Sequence, residues 1–320
     1  MLIGFSIALL AALAILGGMV ALGTGKAPEP MQALSRPFRN ADFRDLPAPK
    51  TLKARDGVDL TYRVVPAANG TPERVVILIH GATASSASMH PLAKALAAQN
   101  MIAYTLDMRG HGGSGRRGDL DYPAQLDDDM VEVVAFVKAQ HPGVPLVLTG
   151  FSAGGGFSLH TAATPLGKSF ERVVLLAPML GPRAPTSKPA NDQAPLVTPF
   201  VPRIIALMIL NTIGVHAFDH LQTLAFGDFN RPELTSNYSF LLMRGFATGD
   251  YADDVARANA PLAVVIGVDD DFFFAQKYAA TLNAIRPGIP VTVLPGLAHI
   301  PLIVEPEAVP AITQAIRGRT

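Results

Sequence analysis

From residue 75 onward, short apolar runs alternate with helical patterns. VVILI (Val75–Ile79), MIAYTL (Met101–Leu106), LVLT (Leu146–Thr149), VVLLA (Val173–Ala177), LAVVI (Leu262–Ile266) and VTVL (Val291–Leu294) are rich in β-branched residues and flanked by Gly or Pro. That combination predicts strands. None of the runs alternates with polar residues, so both faces are buried, as in a parallel sheet. Between them, Leu126, Met130, Val133, Val134 and Val137 keep helical spacing, as do Phe274, Tyr278, Leu282 and Ile285. Strand alternating with helix predicts an α/β fold: a mostly parallel central sheet flanked by helices, with right-handed crossovers. Residues 51–65 add two antiparallel edge strands.

One interval breaks the rhythm. Met179–Gly245 carries no clear strand; a Pro-rich stretch leads into RIIALMILNTI (Arg203–Ile213), apolar nearly all round and too short to span a bilayer. It reads as a helical cap inserted over one end of the sheet. The chain therefore divides into a hydrophobic segment (1–23), a Pro-rich tether (24–47), a core (48–178 and 246–320) and the cap (179–245).

The hydrophobic segment, Leu2–Gly23, holds no charged side chain and is just long enough to cross about 30 Å of hydrocarbon as a helix. It predicts a membrane anchor, with a cleaved secretory signal as the alternative. In the second case Ala21-Leu22-Gly23 is the small-x-small cleavage site and the body is secreted or periplasmic. Gly4, Ala8 and Ala12 recur every four residues, a spacing that lets two helices approach closely. Lys26, Arg36 and Arg39 follow the span and favour a cytoplasmic body if it is retained.

Composition narrows the function classes. The 320 residues are 49% hydrophobic and 16% charged, enough apolar content for a sizeable core. Lys+Arg and Asp+Glu are equal at 26 each, so no basic face for nucleic acid is indicated. Cysteine is absent, which excludes disulfides and thiolate metal sites. His216 and His220 lie four apart but have no third ligand nearby, so neither a metal nor an organic cofactor is implied.

Gly110-His-Gly-Gly-Ser-Gly115 matches the GxGxxG dinucleotide fingerprint. That chemistry needs a helix N-terminus directly behind the glycines, and RRGDLDYP follows instead, so the match is a tight loop. Gly150-Phe-Ser152-Ala-Gly154 is a stronger signal, because G-x-S-x-G sits here between a strand and a helical stretch. A sharp strand-to-helix turn lifts the serine hydroxyl above the sheet. A serine needs a base, and the base an orienting acid. His299, in LPGLAHIP, follows the last strand, and GVDDDFFF (267–274) follows the strand ending at Ile266. It offers Asp269, Asp270 and Asp271. All these groups lie at carboxyl ends of parallel strands, where open α/β sheets build their sites. His80-Gly81-Ala82-Thr83 ends a fourth strand at the same edge, so the amides of Ala82 and Ala153 form a candidate oxyanion hole. His80 and His111 read as loop-stabilising residues, and Asp127-Asp128-Asp129 as a solvated first helical turn.

Taken together, HGAT, DMRGHGGSG, GFSAGG, GVDDDFF and LPGLAH resemble the α/β-hydrolase superfamily, most nearly its monoacylglycerol lipase, lysophospholipase and serine aminopeptidase branch. The resemblance runs from about Leu46 to Arg317 and leaves out most of the cap. It implies a Ser, Asp, His chain order and selects Asp270, three residues after the strand-end Gly267. Asp271 is then placed to cap the next helix, Asp269 is a loop acid, and the phenylalanines pack that helix onto the sheet. The implied activity is hydrolysis of carboxylic esters, acyl-lipid in type, through an acyl-enzyme on Ser152. Two alternatives stand beside it: an aminopeptidase-like amide hydrolase, and a non-catalytic ligand-binding protein. The aminopeptidase would need a cap carboxylate such as Asp219, Asp228 or Glu233. The expected partners are a small-molecule ester or lipid and, through residues 1–23, the membrane. For the acyl chain, Ile204, Ile205, Leu207, Met208, Ile209 and Leu210, with Val215, Phe218, Leu221, Leu224 and Phe226, offer an apolar roof.

Overall fold

The computed structural model describes residues 2–22, 25–29, 32–189, 196–227 and 234–319, without the side chains of 2–9, 32–34 and 40. The strands in chain order are β1 (Lys50–Lys53), β2 (Asp59–Val65), β3 (Arg74–Ile79), β4 (Met101–Leu106), β5 (Leu146–Phe151), β6 (Arg172–Leu176), β7 (Val197–Pro199), β8 (Gln222–Phe226), β9 (Asn237–Ser239), β10 (Leu262–Gly267) and β11 (Val291–Leu294). The helices are α1 (Leu2–Ala21), α2 (Gln32–Asn40), α3 (His90–Ala98), α4 (Gln125–Gln140), α5 (Ala153–Ala163), α6 (Val201–Thr212), α7 (Phe240–Gly245), α8 (Tyr251–Arg257), α9 (Lys277–Asn283), α10 (Pro301–Val304) and α11 (Val309–Arg317).

Among the described residues one sheet of eight strands runs β1-β2-β4-β3-β5-β6-β10-β11. From β4 to β11 the pairs are parallel, and β1 and β2 join antiparallel at one edge. The expected strands all form. Val76, Ile77, Leu78 and Ile79 of β3, and Val173 to Leu176 of β6, have no accessible surface, which is why those runs show no polar alternation. After β3 the chain moves to β4 on one side and then returns to β5 on the other. Strand order reverses there, and the crevice beyond the carboxyl ends of β3 and β5 is where open α/β sheets place ligands.

The cap is not purely helical. β7, β8 and β9 form a separate three-stranded antiparallel sheet, beside α6 and α7. Each strand has three to five residues, too few for a period-2 pattern to emerge from the sequence.

The N-terminal region packs against the body. α1 lies along α6, and the Arg203 guanidinium of α6 donates to the carbonyls of Val20 (2.8 Å) and Ala21 (3.4 Å) at the end of α1. Leu10, Leu13, Ile15 and Leu22 are exposed. Among the described residues no helix is long and apolar enough to cross a membrane, so the anchor expectation finds no support there. Gly23 and the surroundings of Gly4 and Ala8 lie outside what is described. The described part of 24–47 is also not a free tether. α2 touches α10, Asp45 accepts from Lys94 Nζ (2.7 Å) and pairs with His90 Nε2 (3.0 Å), and Arg63 donates to the Pro47 carbonyl.

Candidate active site

Ser152 occupies the turn between β5 and α5 with φ 56° and ψ −118°, a strained conformation for a residue with a side chain. Three backbone bonds hold it: Ser152 N–H donates to the Leu176 carbonyl (2.9 Å), and its own carbonyl accepts from Gly156 (3.1 Å) and Met179 (2.9 Å). The flanking glycines are steric necessities. A Cβ on Gly150 would lie 2.1 Å from the Gly154 carbonyl oxygen, and one on Gly154 would lie 2.2 Å from that of His80.

Asp270 has no accessible surface. One carboxylate oxygen accepts the amides of Phe272 (2.8 Å) and Phe273 (2.9 Å), and the other meets His299 Nδ1 at 2.6 Å. Nδ1 therefore carries a proton and Nε2 is the ring's free acceptor. Three aromatic rings enclose the imidazole: Phe151 at 4.6 Å, Phe272 at 4.9 Å and Phe273 at 5.5 Å between centroids. Phe272 and Phe273 thus box in His299, rather than serving only to pack a helix. Asp269 is exposed. Asp271 does not cap the next helix, because α9 begins at Lys277 with Gln276 before it. The turn that brings two amides onto Asp270 delays the helix. Asp271 instead accepts the His299 amide at 3.3 Å.

Ser152, His299 and Ala82 line one cavity of about 730 Å³. Among the described residues the Ala82 amide meets no acceptor. Ala153 is the first residue of α5, so its N–H has no partner within the helix. Among the described residues neither amide meets an acceptor, so both remain candidates for an oxyanion hole.

The loop carrying Ala82 is tied to the cap. Thr83, at φ 64°, donates its amide to the Tyr238 hydroxyl of β9 (2.8 Å), and Thr235 N–H donates to the Thr83 carbonyl (2.8 Å). The Tyr238 hydroxyl in turn donates to His111 Nε2 (2.6 Å). Burial pushes Tyr238 above and His111 well below their ordinary pKa, so both stay neutral. Sequence reasoning missed Tyr238, since no local motif marks a tyrosine in a three-residue strand. His80 is loop-stabilising as expected: Nδ1–H donates to the Gly81 carbonyl (2.7 Å) and Nε2 accepts the Met108 amide (3.2 Å). Burial lowers its pKa.

Asp107 accepts the amides of Ser86 (2.6 Å) and Gly113 (2.8 Å), which organises the glycine-rich loop. The acids at the start of α4 are not a solvated turn. Asp129 is buried and grips Arg109 through two bonds (2.7 and 2.8 Å), and burial raises its pKa. His216 pairs with Asp219 and His220 with Asp119, so they serve different carboxylates. Asp219 is buried and also accepts from Asn211 (2.7 Å), which leaves it no access to the cavity; Asp228 and Glu233 lie outside the described residues.

The roof differs most. Among the described residues no side chain of α6 lines the cavity, and neither do Val215, Phe218, Leu221, Leu224 or Phe226. Ile205, Met208 and Ile209 face outward, while Ala206 and Leu207 are buried. The cap contributes Leu196 and Leu234, and the other apolar lining residues include Phe38, Phe43, Leu46, Pro49, Ile300 and Ile303.

Comparison with known proteins follows the same outline. The family model described as serine aminopeptidase, S33, matches residues 70–307. A monoacylglycerol lipase of Mycolicibacterium smegmatis is 35% identical over 86 residues, 27% of this chain and 31% of that protein. The human monoglyceride lipase is 31% identical over 112 residues, 35% and 37% of the two chains. The matched stretches thus span well under half the length of these relatives. Among solved structures, a soluble variant of the Saccharomyces cerevisiae monoglyceride lipase superposes with a TM-score of 0.61 at 16% identity, covering 92% of this chain and 98% of that one. A putative aryl esterase of Burkholderia cenocepacia gives 0.58 at 20% identity, covering 85% and 99%. These two likenesses establish the fold.

Proposed function

The chain belongs to the serine aminopeptidase S33 family of α/β-hydrolases, and on that premise we propose that it is a serine hydrolase of carboxylic esters, acyl-lipid in type. One observation carries the reading: a fully buried Asp270 holds His299 Nδ1 at 2.6 Å, and that histidine shares a cavity with a serine on a strained elbow.

In the proposed reaction Ser152 Oγ attacks the ester carbonyl while His299 Nε2 takes its proton. Asp270 keeps the ring oriented and stabilises the imidazolium. The developing oxyanion sits on the amides of Ala82 and Ala153. Loss of one such donor costs about 2.7–4 kcal/mol in a serine protease, so the pair is a major contributor. The tetrahedral intermediate collapses, the acyl carbon–alkoxy bond breaks, and His299 returns the proton to the leaving alcohol. Water then attacks the acyl-enzyme by the same route and releases the carboxylic acid and free Ser152.

Cavity chemistry supports an ester of an apolar acid over a peptide amide. The walls are mainly apolar. Asp107, the carboxylate among the described lining residues, already accepts two amides and is poorly placed to receive a free α-amine.

A fluorophosphonate probe tests the reading. It is expected to label wild-type protein on Ser152 and to leave Ser152→Ala unlabelled, with hydrolysis of p-nitrophenyl esters lost in parallel. Ester hydrolysis that survives in folded Ser152→Ala overturns it.

A further inference from the structure

The cavity has a wall that neither the sheet nor the cap supplies. Residues 35–49 place Phe38, Phe43 and Leu46 on its lining. The lining also includes Ile300, directly after His299, and Ile303, four residues beyond it. This segment lies outside the stretch that matches the family model, which begins at residue 70. The cap helix that would be the obvious roof turns Ile205, Met208 and Ile209 to the outside instead.

Resting on the serine-hydrolase reading above, we propose that this N-terminal strap is the acyl-specificity element of the enzyme, with Phe38, Phe43 and Leu46 forming the surface on which an aliphatic acyl chain lies. The chemistry of the wall fits that ligand. It is aromatic and aliphatic, it is continued by two isoleucines, and it lines the same cavity as the serine that would carry the acyl group. A chain of CH₂ groups gains by leaving water for such a surface in proportion to its length. An acetyl group has a single methyl to bury on it and a long acyl chain has many methylenes, so the strap discriminates by length.

Local contacts set the strap's position. Phe43 packs between Phe38 (6.4 Å) and the His90 ring (6.2 Å). Two residues on, Asp45 pairs with His90 and Lys94. Below them the Pro47 carbonyl accepts from Arg63. None of these contacts involves Ser152, Asp270 or His299, so the wall can be altered while the reacting groups stay in place.

The test uses the full chain and the ratio of kcat/KM for p-nitrophenyl decanoate to that for the acetate. Wild type is expected to favour the decanoate. Phe43→Ala/Leu46→Ala is expected to lower the ratio at least fivefold while a fluorophosphonate still labels Ser152. A second variant, Asp45→Ala, unfastens the strap without touching the lining and is expected to shift the ratio in the same direction. Ile205→Ala and Met208→Ala, on the outward face of α6, are expected to leave it unchanged. A wild-type ratio at or below one overturns the proposal, as does a change under fivefold in the labelled double variant. That failure is distinct from failure of the serine-hydrolase reading, in which ester hydrolysis would not depend on Ser152.

Discussion

Ser152, Asp270 and His299 stand on turns that the sheet holds in place, whereas Phe38, Phe43 and Leu46 stand on a strap fastened to the surface. The two regions face one cavity but differ in what it costs to move them. Asp270 is wholly buried and its carboxylate makes three hydrogen bonds. Leaving a buried hydrogen-bonding group without its partner costs about 1–3 kcal/mol, and more for a charged group. The strap is held by aromatic contacts and by partly exposed pairs such as Asp45–Lys94. Exposed pairs contribute about 0–1 kcal/mol each. On the proposed reading the chemistry is rigid and the fit of the substrate compliant, and a change in acyl preference need not disturb the reacting groups.

The sharpest way to break this contrast is at the rim. Ser152→Ala is expected to lower kcat on any accepted ester by about 10⁶-fold, and Asp270→Asn by about 10⁴-fold, as for the corresponding groups of serine proteases. Asp269→Asn, one residue away but exposed, is expected to stay within about twofold, like an ordinary surface substitution. Steady-state kinetics on p-nitrophenyl acetate and decanoate check all three. If Asp269→Asn falls as far as Asp270→Asn, the triad acid is misassigned. Losses on acetate and decanoate should be equal for the rim variants, whereas strap variants should separate the two substrates.

A smaller effect is expected where the cap meets the rim. Tyr238→Phe removes the hydroxyl that accepts the Thr83 amide, one residue beyond the candidate oxyanion donor Ala82. Full loss of such a donor costs about 10²–10³-fold in kcat, and a displaced donor costs less, so we expect about tenfold with KM little changed. A purely structural role would lower Tm and leave kcat alone. The paired measurement of kcat and melting temperature separates the two.

These residues were not equally legible in the sequence. The elbow, the acid and the histidine each depend on a local turn with its own residue requirements, such as the glycines at 150 and 154 whose side-chain positions are filled by backbone. Local constraints leave local patterns, and the resemblance then separated Asp270 from its two neighbours. The strap left no such mark: its prolines suggest a tether, and its role comes only from docking against α3 and α10. α6 misled for the opposite reason. An apolar run reports that a helix has surface to cover, not which surface, and here α1 covers part of it. Asp129 was misread because its partner, Arg109, lies 20 residues away on another loop.

The smallest effect lies behind the rim, on the far end of the helix that begins at the elbow. His160 of α5 sits between Asp127 of α4 (3.2 Å) and Asp254 of α8 (3.5 Å). Hydrogen bonding to Asp127, then to Asp254, outweighs burial and pushes its pKa up to about 10. The unfolded value is about 6.5. A folded pKa above the unfolded one means stabilisation that is complete below about pH 6.5 and disappears as pH rises through 10. His160→Ala is therefore expected to lower Tm by about 2 °C or more near pH 6, with the gap to wild type narrowing by pH 10.5. Thermal melts across that range check it, and a gap that stays constant would mean that folding does not raise the imidazole's pKa. Activity on the acetate ester should follow wild type at pH 7, because the clamp steadies the α4–α5–α8 layer and touches neither the turn that aims Ser152 nor the strap that receives the acyl chain.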